Sequence, residues 1–171
     1  KRTSFDIIQF GFNKGGAELI ATFQSMPRKK LVVIDYDPEA IEHLENRKVH
    51  YIYGDATDIE LLDELNMEDA KVIVTTISHF PTNRFLLEYV EKINQNAVII
   101  SRADTAEEAA ELYGIGASYV MIPHYVGTEK LGNFISRHGL SKKDFEKNKI
   151  KHLTQLRSTY ELKDIDGEPN S

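Results

Sequence analysis

The turn Gly11-Phe12-Asn13-Lys14-Gly15-Gly16 and the acid Asp35 are the residues of this chain whose types and spacing could do chemistry. That chemistry is the holding of a nucleotide. Gly11 permits a tight turn off a strand, and Gly16 lets the following helix lie close to the sheet. The helix start then offers backbone N–H groups and the positive end of the helix dipole to a phosphate. Lys14 adds a point charge that neutralises phosphate; its competing role is that of a solvated surface cation. Asp35 lies near the offset of about 20 residues at which an acid binds ribose hydroxyls. The position where a glycine brings backbone up to a pyrophosphate holds Asn13 instead. Asparagine tolerates left-handed backbone angles, so the turn survives. Its side chain still occupies pyrophosphate space, which favours a mononucleotide over a dinucleotide. Asp35 repels a ribose 2′-phosphate and no arginine follows it, so NADP is the least favoured nucleotide. The bland alternative is a degenerate turn that binds nothing.

These residues need a strand, a helix and a second strand to position them. Asp6 to Phe10 and Leu31 to Ile34 read as the strands, and Ala17 to about Met26 as the helix between them. The alternation continues along the chain. Asp37-Pro38-Glu39 starts a helix running to about Asn46, with cap, first-position proline and a favourable acid in order. Strands are expected at Val49–Tyr53, Lys71–Thr75, Ala97–Ser101 and about Ser118–Met121. Thr57 with Glu60, and Thr105 with Glu108, have capping-box spacing. A helix after Pro81 carries Phe85, Leu86, Tyr89, Val90 and Ile93 at helical spacing. A last sheet-domain helix is expected from roughly Gly127 to His138.

The fold class is therefore α/β: a Rossmann-like parallel six-stranded sheet, order 3-2-1-4-5-6, with helices on both faces and a C-terminal helical extension. Ligand belongs outside the carboxyl ends of strands one and four, where the order reverses. The expected domains are 1–138, the nucleotide-binding domain, and 139–171, a helical extension with a disordered tail. In that extension Lys142, Lys143, Lys147, Lys149 and Lys151 surround Phe145, Ile150, Leu153 and Leu156. This amphipathic helix either packs on the domain or a partner, or meets an acidic or anionic lipid surface. Residues after Arg157 read as disordered.

Composition excludes several classes. Hydrophobic residues make up 41% and charged residues 28% of the 171-residue chain, ordinary for a globular domain. A net charge of −6 argues against nucleic acid as the main partner. The absence of cysteine removes disulfides, thiolate zinc sites and cysteine nucleophiles, and fits a reducing compartment. No apolar run approaches the roughly 18 residues of a membrane span, and no signal peptide is visible. The first residue is Lys1, so a longer parent protein is expected.

No catalytic constellation stands out. His79 and His124 follow strands at the crevice end, but loop or interface roles suit them better. Asp55 and Asp58 read as turn and helix-start residues, without a third ligand at metal spacing. Ser78 lacks a nucleophile elbow. Arg102, ending strand five, reaches either a phosphate or a neighbouring acid. Catalytic and metal residues are therefore assigned to none.

The glycine turn, Val33-Ile34-Asp35-Tyr36-Asp37-Pro38, Tyr53-Gly54-Asp55-Ala56-Thr57-Asp58, Thr82-Asn83 and Ile99-Ile100-Ser101-Arg102-Ala103 together resemble the RCK or KTN (TrkA-N) domain, over Asp6 to about Ile135. The segment Ile122 to Leu131 and the charged helix after it are similar to those of Kef-type cation/proton antiporters. The resemblance implies a nucleotide-sensing domain on the cytoplasmic face of the cell membrane, fused to or docked on a membrane-embedded cation transporter. It implies phosphate contacts at Gly11, Phe12, Asn13, Lys14, Gly15 and Gly16, and ribose contact at Asp35. The Asp55-Ala56 segment would border adenine, and Ile77 and Ser78 the other end of the ligand; Tyr36, Thr57 and Arg102 are counted among the nucleotide-binding residues with them. The implied ligand is an adenine nucleotide, AMP or NAD(H) first, then ADP or ATP. The implied assembly is a homodimer, with Val126, Leu131, Phe134 and Ile135 as interface residues. Potassium channels and uptake systems carry similar domains, so the parent transporter stays open between these. Two other classes compete: the cofactor half of an NAD-dependent oxidoreductase, and a structural lobe that binds nothing.

Overall fold

The computed structural model of the chain describes residues 3–160. Six strands alternate with helices. They are β1 (Ile7–Phe10), β2 (Leu31–Asp35), β3 (Tyr51–Tyr53), β4 (Val72–Thr75), β5 (Val98–Arg102) and β6 (Tyr119–Met121). The helices are α1 (Gly16–Gln24), α2 (Pro38–Asn46), α3 (Ile59–Glu64), α4 (Phe80–Ile93), α5 (Ala106–Ile115), α6 (Pro123–His138) and α7 (Lys142–Tyr160). All neighbouring strands pair in parallel in the order β3-β2-β1-β4-β5-β6, as expected from the alternation. The order reverses between β1 and β4, and the crevice at their carboxyl ends is where a parallel sheet places ligand.

β1 and β4 sit at the centre, which explains their nearly continuous apolar runs. Alternate side chains feed two cores. Ile8, Phe10, Val32, Ile34, Ile73 and Ile99 face Leu62, Leu86, Leu87, Val90 and Leu112 on one side. Val33 faces Phe12, Ala17, Ile20, Ala40 and Leu44 on the other, and Ile7 and Val74 meet Phe23 there. Burying side chains of this size stabilises the fold by about 1.5–3 kcal/mol each.

Several boundaries differ from the sequence expectation. α6 starts at Pro123, not Gly127, because Pro123 serves as the first helical residue rather than as a stop after β6. α3 is capped by Asp58, whose Oδ1 accepts from the Glu60 and Leu61 N–H groups at 3.0 and 3.4 Å, and not by Thr57. The Thr57 hydroxyl is instead committed to Asp55. Thr105 does cap α5, accepting from the Glu108 N–H at 3.1 Å. α7 continues past Arg157 to Tyr160, so 158–160 are helical where disorder was expected; the rest of that expected tail, 161–171, lies outside the described residues. The chain divides into two compact units, 1–126 and 127–171, and the division falls within α6.

Candidate functional site

The site begins where β1 ends. Gly11 turns the chain with φ +97°, and a Cβ there would come within 2.7 Å of Thr76 Oγ1. The next sharp bend falls on Lys14 (φ 57°) and Gly15 (φ 103°). Asn13 does not take the left-handed angle that the sequence suggested for it. The reason is positional: the left-handed pair must directly precede α1, where Gly15 is the N-cap. Asn13 supplies its carbonyl instead, accepting from the Thr76 hydroxyl at 3.1 Å. Its side-chain amide donates to Asp37 Oδ2 at 3.4 Å.

Gly16 opens α1 against the turn. A Cβ at Gly16 would meet the Gly11 carbonyl oxygen at 2.5 Å, so only glycine allows this approach. Among the described residues no side chain caps α1. Its first N–H groups are therefore a ready seat for an anion.

Asp35 faces the turn from the end of β2. Its Oδ2 accepts from the Phe12 N–H and its Oδ1 from the Asp37 N–H, each at 2.9 Å. These bonds orient the carboxylate and leave lone pairs for further donors. Asp37 in turn caps α2 by accepting from the Glu39 N–H at 3.0 Å. Phe12 contributes only backbone here. Its buried ring stacks on His43, centroids 5.5 Å apart, with the Arg47 guanidinium 5.3 Å from the ring centroid.

The opposite wall comes from the loop after β4. Lys14 Nζ donates to Ser78 Oγ at 2.7 Å, joining the turn to that loop. Arg102 pairs with Asp104 at 3.3 Å and donates to the Lys14 carbonyl at 3.5 Å. The buried Asn83 holds the wall from beneath. Its Nδ2 donates to the Ile77 and Arg102 carbonyls at 2.8 and 3.0 Å, and its Oδ1 accepts from Thr75 Oγ1 at 2.7 Å.

Between the walls lies a cavity of about 470 Å³. Of the sequence-expected residues, Gly11, Asn13, Lys14, Asp35, Tyr36, Ile77 and Ser78 line it. Gly15 and Gly16 shape the turn behind it, and Arg102 braces the turn from outside. Asp55, Ala56 and Thr57 do not line it. Ala56 is buried in the core, and the Asp55 carboxylate accepts from both the N–H and the hydroxyl of Thr57 at 2.8 Å. The Thr57 N–H first, and then its hydroxyl, hold Asp55 below the usual carboxylate value of 3.8. This loop still approaches the site, because the Gly54 N–H donates to the Asp35 carbonyl at 3.1 Å.

Thr76, Asp37 and Pro38 complete the lining and were not singled out as site residues from sequence. Asp37 and Pro38 carry a capping signature that masks any second role, and Thr76 has no sequence signal at all. Neither His79 nor His124 lines the cavity. His79 Nδ1 pairs with the Thr82 hydroxyl at 2.9 Å. The lining offers an oriented carboxylate and a cation, with the uncapped start of α1 behind the turn, which suit binding. Its serine and threonine hydroxyls are engaged within the protein: Ser78 accepts from the Lys14 ammonium and Thr76 donates to the Asn13 carbonyl.

Comparison with known proteins gives a consistent family. Residues 7–123 match the model of the TrkA-N domain family. The chain is 32% identical over 103 residues to the glutathione-regulated potassium-efflux system protein KefC of Enterobacter sp. strain 638. That match covers 60% of this chain and 17% of KefC, so the chain spans about a sixth of such relatives. The GsuK channel bound to NAD superposes with a TM-score of 0.60 at 27% identity, covering 70% of this chain and 21% of that one. The Kef CTD of Shewanella denitrificans in an AMP-bound form has the same fold, with a TM-score of 0.64 at 20% identity over 94% of this chain and 97% of that one.

Proposed function

The chain belongs to the TrkA-N domain family, and on that footing we propose that it is the nucleotide-sensing regulatory domain of a potassium transport system, most similar to a cation/proton antiporter. The observation that carries this is Asp35. Its carboxylate is oriented by two backbone N–H groups and lines the cavity together with Lys14, and the uncapped helix start lies behind the turn. One side is suited to ribose hydroxyls and the other to phosphate. The AMP in the Shewanella structure and the NAD in GsuK support an adenine nucleotide.

A mononucleotide, AMP first, fits best. The Lys14–Ser78 and Arg102–Lys14 bonds draw the turn toward the ends of β4 and β5, where a dinucleotide's second half would run. Ser78→Ala removes one of these ties, and we expect NADH to gain a few-fold in affinity relative to AMP, measured by calorimetry. An unchanged ratio would show that the tie does not select.

The domain does no chemistry of its own. Nucleotide binds one conformation better than another and biases ion flux by that difference, about 1–3 kcal/mol in typical couplings. Among the described residues no helix is long and apolar enough to cross a membrane. The ion pathway therefore belongs to a membrane-embedded region of the same polypeptide or of an associated chain, with this domain on the cytoplasmic face. A homodimer through α6 transmits the bias.

Asp35→Ala tests the site. Loss of one hydrogen bond to a charged group, about 1.5–3 kcal/mol, should weaken AMP binding by about 10- to 100-fold. Equal calorimetric affinities for wild type and variant would reject the assignment. Absence of any thermal shift with saturating AMP, ADP, ATP or NADH would favour a purely structural lobe.

A further inference from the structure

Gln9 is the one polar residue of β1, a strand buried along its whole length. It aligns with Val33 on β2 and Val74 on β4, so an apolar side chain is what the position itself would favour. Its Nε2 donates to the Gly11 carbonyl at 2.9 Å and to the Gly16 carbonyl at 3.0 Å. Its Oε1 is buried without a hydrogen-bond partner among the described residues. The opposite amide orientation would set Oε1 against two carbonyl oxygens, so these bonds decide which way the amide faces. A half-satisfied buried amide costs stability, and such departures from local optimality concentrate where function requires them.

The two carbonyls are the informative feature. Gly11 is the first residue of the turn and Gly16 the first of α1. One amide thus ties together both ends of the segment that carries Asn13 and Lys14 of the cavity lining. The fit is close: a Cβ at Gly16 would lie 2.9 Å from Nε2. We propose that Gln9 is a positioning residue for phosphate: it sets the spacing and direction of the turn's N–H groups and of the α1 start without touching ligand. The proposal rests on the nucleotide site described above. It adds that Gln9 governs the phosphate part of the affinity and leaves the adenosine part, held at Asp35, alone.

The split between AMP and adenosine tests it. Gln9→Met keeps the length of the side chain and removes the donor; Gln9→Ile removes the donor with a residue suited to a central strand. Calorimetry on wild type and both variants, each checked for cooperative thermal unfolding, should show AMP binding weakened about tenfold, because ligand must then order a turn that the two bonds no longer hold. Adenosine binding should stay within about twofold, less than one typical hydrogen bond is worth. Equal losses for AMP and adenosine, or no loss for AMP, overturn the proposal while the nucleotide site stands. Wild-type protein that binds neither ligand overturns the nucleotide site and this proposal with it. If neither variant folds, the Gln9 side-chain amide of the wild type is followed by NMR. A shift with AMP but not with adenosine supports the role; the same response to both, or none, overturns it.

Discussion

Asp35 and Asp55 are both carboxylates at the ends of strands, yet they do different things. Asp35 accepts from two loops at once, Phe12 on one side and Asp37 on the other, so it orients the site as well as facing it. Asp55 spends one oxygen on Thr57 alone and organises its own turn. Because its folded-state value is depressed, that interaction stabilises the fold above the unfolded value near 4 and is lost as the pH falls through the folded value. Thr57→Val keeps the N–H, the larger cause, and removes the hydroxyl. Asp55 should then titrate closer to 3.8, still below it, in a carbon-detected NMR titration. An unmoved titration would show that the hydroxyl contributes nothing.

At the level of elements, the turn and α1 act as one unit because Gly16 lets them touch. Gly16→Ala would place Cβ 2.5 Å from a backbone oxygen, which cannot move without moving the turn. We expect a loss of about 1–3 kcal/mol in urea unfolding, the usual cost of overpacking, together with weaker AMP binding. An unaltered midpoint would mean that α1 shifts freely. The end of α2 offers a gain. The Val49 N–H donates to the Leu44 carbonyl at 3.2 Å and the Lys48 N–H to the Glu45 carbonyl at 3.1 Å, a Schellman ending with Lys48 at φ 55°. Lys48→Gly removes a Cβ from a left-handed position and should stabilise by about 1 kcal/mol. The same urea experiment, with an unchanged slope, checks it.

For the whole molecule, the question is assembly. α6 has no buried residue among those described and exposes Tyr125, Val126, Leu131 and Ile135. Phe134, also expected at an interface, packs against Phe145 of α7, with ring centroids 4.9 Å apart. If α6 is the dimer seam proposed above, the wild type sediments as a dimer and the double variant Leu131→Glu, Ile135→Glu as a monomer. A wild-type monomer at high protein concentration would remove the seam. Regulation would then need another contact to pass nucleotide occupancy to a transporter.

The alternation of strands and helices, the strand order, the glycine turn and the acid that closes β2 were all legible in the amino-acid sequence. They depend on periodicity, capping and turn chemistry, which act over a few residues. Tertiary structure alone decided which residues share the cavity. Thr76 and Ser78 reach the turn from more than sixty positions away, Gln9 braces it from inside the core, and Asn83 holds the opposite wall. It also sent the Phe12 ring into the core and moved the left-handed bend from Asn13 to Lys14. These outcomes follow from which strands lie side by side, and no local pattern encodes what a distant strand end will place opposite a turn.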